Sequence, residues 1–113
     1  MEQINKVELR GNVGMVYLNK AGGRRAIRIS LATNVGYHAS DGSPVIETTW
    51  HNINAWEGKG MPDFDQIQKG TGLHVWGRIR STKYTGSDGA EKYSSEIVAS
   101  KMAIVEENLT AQM

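Results

Sequence analysis

The residues with most chemistry to offer lie in one stretch, Thr48-Thr49-Trp50-His51-Asn52-Ile53-Asn54-Ala55-Trp56. Written as a β-strand, its side chains alternate between two faces. His51, Ile53 and Ala55 fall on one face; Trp50, Asn52, Asn54 and Trp56 fall on the other. A strand that served only a core would group its indoles with the isoleucine. Here they stand among asparagines, and two indoles on a polar face make an apolar area that soluble chains seldom leave without a partner. Flat aromatics beside amide donors suit the stacking and hydrogen bonding of nucleic-acid bases. The alternative is that another subunit or a loop covers them.

A second run, Leu73 to Tyr84, repeats the arrangement. Leu73, Val75, Gly77 and Ile79 share one face, and His74, Trp76, Arg78, Arg80, Thr82 and Tyr84 share the other. Tyr37 stands on the arm of the hairpin that leads into the tryptophan strand. The candidate stacking residues are therefore Tyr37, Trp50, Trp56, Trp76 and Tyr84. Basic side chains fall in the same outward registers: Lys6 and Arg10 on the first strand, Arg28 on the second, Arg78 and Arg80 beside Trp76. Lys59, Lys69 and Lys83 occupy strand ends or loops nearby, and these eight are the candidate phosphate contacts. Each arginine alone fits an ordinary solvated face, and Trp76 alone fits a subunit interface. The pattern across two strands points to single-stranded nucleic acid, because duplex DNA hides its base faces while stacking contributes about 1–3 kcal/mol per base.

Catalysis finds no support. His38, His51 and His74 differ in strand and parity and lack metal-ligand spacing. His51 shares its face with Ile53 and reads as a hydrogen-bonded core histidine. Gly58-Lys59-Gly60 lacks the rest of a phosphate loop. No nucleophile–base pair or carboxylate pair can be argued, so neither an enzyme nor a cofactor is expected. The rival function is a protein–protein module whose aromatic face a partner covers.

The elements that must hold these residues are mostly strands. Val7, Leu9 and Val13 alternate with Lys6, Glu8, Arg10 and Asn12, and Gly11 inside that run suggests a bulge or sharp bend. Gly14 to Gly23 reads as a loop, followed by a strand with Ile27, Ile29 and Leu31 inward. Asp41-Gly42 is the expected hairpin tip before the tryptophan strand. Pro62 to Gly70 reads as one short helix, with Phe64 and Ile67 forming a stripe able to plug a barrel end. Gly86-Ser87-Asp88-Gly89 turns into a last strand, Tyr93 to Val105. The resulting order, β-β-β-α-β-β, predicts an all-β fold with one short helix: the OB-fold, a five-stranded Greek-key barrel. At 113 residues this is one domain, which can bury roughly two thirds of its unfolded surface. We place the binding domain at residues 1–107 and a short tail at 108–113. The net charge of +1 announces no polyanion partner, so any basic footprint must come from local clustering. No cysteine is present, and no stretch approaches the ~20 apolar residues of a membrane span, which suits a soluble protein of the reducing cytoplasm; binding single-stranded nucleic acid there would place it on the nucleoid.

These motifs together resemble the bacterial single-stranded DNA-binding (SSB) proteins. Asn5-Lys6-Val7-Glu8-Leu9-Arg10-Gly11-Asn12-Val13-Gly14 is similar to that family's first strand, Leu31-Ala32-Thr33-Asn34 to its second-strand ending, and Thr49-Trp50-His51 to the start of its aromatic strand. Lys69-Gly70 through Val75-Trp76-Gly77-Arg78-Ile79-Arg80, then Tyr84-Thr85, Asp88-Gly89, Tyr93 and Glu96, resemble its closing strands. The likeness spans about residues 4 to 105. It implies an OB-fold that assembles with itself as a homotetramer or homodimer and wraps single-stranded DNA without sequence preference. It also implies stacking at Tyr37, Trp50, Trp56 and Tyr84 and basic contacts at Lys6, Lys59, Lys69, Arg80 and Lys83. Asn52 and Thr82 depart from it, standing where basic residues are common. The family's flexible linker and acidic tip are not matched by Glu106 to Met113, so tail-mediated recruitment of repair enzymes is not expected. A tail-less relative resembling primosomal replication protein N is the alternative membership.

Overall fold

The computed structural model of the chain describes residues 1–105. The segment beyond, with the boundary expected at 107/108, lies outside the described residues. Five strands close a barrel: β1 (Val7–Ala21), β2 (Arg24–His38), β3 (Pro44–Trp56), β4 (Gly72–Thr85) and β5 (Glu91–Val105). Around the barrel the order is β1-β2-β3-β5-β4, with β1 also paired to β4. All ladders are antiparallel except β3 with β5, where Ile53 and Asn54 meet Ile97 and Val98 in parallel. This is the five-stranded Greek-key barrel expected from the order of elements.

The alternation that defined the strands builds the core. Ile27, Ile29, Leu31, Ile53, Leu73 and Val75 are all buried, and Phe64 and Ile67 close the barrel from one end. Burying a Phe or Ile side chain stabilises by about 1.5–3 kcal/mol each, and the continuous inner face of β2, β3 and β4 collects most of that. Ile79 shares the inward parity of Leu73 and Val75 but is 51% exposed. It lies on the long β4–β5 hairpin, which continues past the closed part of the barrel as an arm.

Three local readings are corrected. The segment Gly14 to Gly23 is not a loop: β1 runs on to Ala21, pairing Met15 to Ala21 with Ser30 to Arg24. The register shift that permits this falls between Val13 and Met15, so the bulge is at Gly14 rather than Gly11. One extra residue reverses the alternation, which leaves Val13 and Val16 both facing the core and sends Met15 and Tyr17 outward. Gly11 has a different role, since a Cβ there would collide with the carbonyl of Ala32 on β2. The expected helix over Pro62–Gly70 shrinks to one 3-10 turn, Phe64–Gln66. The Asp63 carboxylate accepts from the Asp65 amide (3.0 Å), Gln66 and Ile67 donate back three residues, and Ile67 is already extended. So short a segment cannot repay helix nucleation, and docking Phe64 and Ile67 into the barrel end decides its shape. Finally, β5 carries a bulge of its own. Ser100 is left over between Lys101–Trp76 and Ala99–Gly77 and donates from Oγ to the Trp76 carbonyl at 3.1 Å. That bulge puts Ala99 and Met102, three residues apart, on the same buried side.

Candidate nucleic-acid interface

Strand register brings the outward residues of β1, β2 and β3 into rows. Tyr17 faces Arg28, which faces Asn54; Met15, Ser30 and Asn52 form the next row; Asn19, Ala26 and Trp56 form the row on the other side. The β4–β5 arm overhangs this face with Arg80 opposite Glu96 and Thr82 opposite Ser94. Between face and arm runs a cleft of about 560 Å³, whose walls include Tyr17, Arg28, Trp56, Arg80 and Glu96. A neighbouring cleft of about 540 Å³ shares Arg28, Asn54, Thr82 and Glu96 and adds Asn52 and Tyr84. The two form one groove, with Trp56 toward one end and Tyr84 toward the other.

Its aromatic surfaces are open. Trp50, Trp56 and Tyr84 are 61%, 45% and 49% exposed in the chain. Trp50 owes its position to the bulge: its indole lies over Gly14, where a Cβ would come within 2.7 Å of a ring carbon, and beside the Ser30 hydroxyl. Trp56 has the Arg24 guanidinium 5.6 Å from its ring centre, and Arg24 in turn donates to the Glu57 carbonyl at 2.9 Å. Beyond Trp56 a second arginine is fully engaged. Arg25 pairs with Glu57 (3.0 Å), Asp65 (2.9 Å) and Asp63 (3.6 Å), tying β2 to the segment that plugs the barrel. The Arg25 backbone N–H and guanidinium hold the Glu57 carboxyl below its ordinary range.

The floor of the groove is a chain of hydrogen bonds. Arg28 Nε donates to Asn54 Oδ1 at 3.2 Å, Asn54 Nδ2 donates to Glu96 Oε2, and Arg80 donates to Glu96 Oε1 from Nε at 2.8 Å and also from Nη2. Such charge-assisted bonds fix the two guanidiniums in place. A stacking face flanked by oriented guanidiniums and amides can take unstacked bases and a phosphate backbone together.

The expected site residues do not all meet here. Trp56, Tyr84, Arg28 and Arg80 line the groove, and Trp50 stands on the same outward face of β3 as Trp56. Tyr37 lies farther out, on the β2–β3 hairpin opposite Val45. Arg78 is exposed opposite Val98, one row inward from Arg80 on β4. Lys59 and Lys69 are exposed in loops, and Lys83 alternates away from Tyr84 and pairs with Glu91 at 2.9 Å. Lys6 is exposed beside Asn5, whose side chain exchanges two hydrogen bonds with the Ile79 backbone at 2.8 and 2.9 Å. Trp76 and Arg10 belong to a separate cluster on the β1–β4 side. His74 stacks on Trp76 with ring centres 3.8 Å apart, the Lys101 ammonium sits 4.8 Å from that ring, and His74 bonds to Glu8 (2.6 Å) and Arg10 (3.3 Å). The barrel's curvature separates them from the groove although they share its outward parity. His51 bonds Thr33 Oγ1 at 2.8 Å and burial lowers its pKa, as suits a core-edge histidine.

Sequence reasoning passed over Tyr17, hidden in the supposed loop, and Glu96, which meets Asn54 only because β3 and β5 pair across the barrel. A Gly before an out-of-phase aromatic-aliphatic run, as at Gly14-Met15-Val16-Tyr17, is the signal that could have found the first. Among the described residues no group of side chains could hold a metal ion, and no helix is long and apolar enough to cross a membrane.

Comparison with known proteins agrees with this fold. Residues 4–105 match the model of the single-strand binding protein family. The chain is 38% identical over 104 residues to a single-stranded DNA-binding protein of Xanthomonas axonopodis pv. citri, covering 90% of this chain and 58% of that protein. It is 32% identical over 106 residues to the single-stranded DNA-binding protein of Neisseria meningitidis serogroup A, covering 90% and 60%. It thus spans about 60% of the length of these relatives. The fold superimposes on a Plasmodium falciparum SSB solved in complex with ssDNA, with a TM-score of 0.78, 24% identity and coverage of 94% of this chain and 98% of that one. It also superimposes on a Thermus aquaticus single-stranded DNA-binding protein, with a TM-score of 0.71 at 18% identity, covering 91% and 51%. By fold, by motif and by the extent of the family match, this chain belongs to the single-strand binding protein family.

Proposed function

We propose that the chain binds single-stranded DNA without reading its sequence, coating and protecting it during replication, recombination and repair, and that it catalyses no reaction. The observation that carries this reading is the groove itself: open indole and phenol faces at Trp56 and Tyr84 over a floor of oriented arginines and amides. Bases stack on Trp50, Trp56 and Tyr84, and Tyr37 extends the path along the hairpin. Every base has a π-face, so such platforms, at about 1–3 kcal/mol each, bind any sequence. Phosphates meet Arg78, Lys6, Lys59 and Lys69 around the rim, and binding weakens as salt rises. Lys83 contributes from the arm, while Arg28 and Arg80 line the floor of the groove. Residues 1–107 form the binding unit, which assembles with itself as a homotetramer or homodimer. It works in the cytoplasm on the nucleoid.

The test is fluorescence anisotropy of labelled oligo(dT), oligo(dC) and oligo(dA) against a duplex of equal length. The reading requires tight binding to all three single strands and weak binding to duplex. Equal affinity for duplex, or none for any strand, would overturn it.

A further inference from the structure

A carboxylate in the middle of a groove built for a polyanion needs a reason. Glu96 is that carboxylate: it borders both clefts, and its side chain is only 18% exposed, against 38% or more for the other ion-paired carboxylates among the described residues. It takes two N–H groups of Arg80 on Oε1 and the Asn54 amide on Oε2, while Asn54 Oδ1 takes Arg28. Both arginines on the floor thus donate to protein acceptors, Arg28 through Nε and Arg80 through Nε and Nη2. The charge of Arg80 is matched by a carboxylate in direct contact. A phosphate laid here would be repelled by Glu96 at close range; a neutral base would not be, and it would find the aromatic faces of Trp56 and Tyr84 at either end.

We propose that Glu96 is a specificity-determining counter-charge. It keeps phosphates off the centre of the groove, so that bases occupy the floor and the backbone is held to the rim. The inference rests on the single-stranded DNA reading above. It predicts that Arg80 and Glu96 act on the ligand as a neutral unit, and that Arg80 does not count as a phosphate contact while Glu96 faces it.

The experiment measures oligo(dT) affinity across a salt series for the wild type, Glu96→Gln and the double variant Arg80→Gln/Glu96→Gln. One phosphate contact on a single strand contributes about 0.7 to the slope of log K against log salt. Glu96→Gln should therefore bind more tightly at low salt with a slope steeper by about 0.7, because a freed guanidinium gains a phosphate. The double variant should return to the wild-type slope. An unchanged slope in Glu96→Gln would overturn the inference, as would a double variant shallower than wild type by about 0.7, which would show Arg80 already on a phosphate. Should Glu96→Gln fail to fold, the double variant, which strands neither charge, decides alone. No binding by the wild type at any salt refutes the DNA-binding reading itself, a different result from wild-type binding with the wrong slopes.

Discussion

Substitution of Gly14 by alanine tests whether the β1 bulge exists to seat Trp50. The backbone at Gly14 is not in the left-handed region, so alanine can adopt it without strain. What a Cβ meets is the indole: it would overlap Trp50 Cζ3 and stand 2.7 Å from Cη2. Carbon atoms in contact prefer about 3.5–4.0 Å, so the ring must retreat by roughly 1 Å or tilt off the sheet. Being 61% exposed, it can do so without disturbing the core. Gly14→Ala should therefore leave the melting temperature nearly unchanged and cost a large part of one stacking platform, about 1–3 kcal/mol, or roughly 5- to 150-fold in affinity for oligo(dT). The decisive assay is a double-mutant cycle with Trp50→Ala, read by anisotropy. If the methyl acts through the indole, Gly14→Ala costs almost nothing once Trp50 is gone. Wild-type affinity in Gly14→Ala, or an equal loss in both backgrounds, would refute the reasoning.

Other perturbations separate site from scaffold. Trp56→Ala should weaken single-strand binding by about 1–3 kcal/mol while thermal unfolding stays put, since the indole contributes to the groove and little to the core; unfolding of that variant would remove Trp56 as a platform. Phe64→Ala should do the reverse, destabilising by about 3–5 kcal/mol in denaturant melts because the ring is fully buried at the barrel end. A melt within 1 kcal/mol of wild type, on the order of a surface substitution, would contradict its role as a plug. Burial lowers the His51 pKa, so the unfolded chain binds a proton more readily than the folded one. Stability should then fall as pH drops below the ordinary histidine value of 6.5, and Thr33-paired His51→Gln should lack that component in melts across this range.

What was legible in the sequence was whatever depends on period-two alternation. Ile27, Ile29 and Leu31 went inward and Trp50, Asn52, Asn54 and Trp56 outward, because a strand with one buried face cannot slip by one residue without inverting every side chain. Alternation fails where a residue is inserted, which is why the bulge at Gly14 concealed seven residues of β1 pairing and the outward placement of Tyr17. It also reports only in or out, not which side of a closed barrel. Trp56 and Trp76 therefore looked equivalent, yet one lines the groove and the other is stacked on His74. The Arg28–Asn54–Glu96–Arg80 chain was invisible for a third reason. Its central bond joins residues 42 apart and depends on the parallel β3–β5 contact that closure alone creates.

On this account open indoles on the β2–β3 face receive unstacked bases beside a ring of basic side chains. The most direct test is a titration of intrinsic tryptophan fluorescence with oligo(dT) at low and high salt, with duplex DNA as control. Strong quenching by the single strand, weakened at high salt and small with duplex, is the predicted result. Emission already blue-shifted in the free protein and unmoved by any single strand would contradict it, and would mean that the indoles are covered by protein instead.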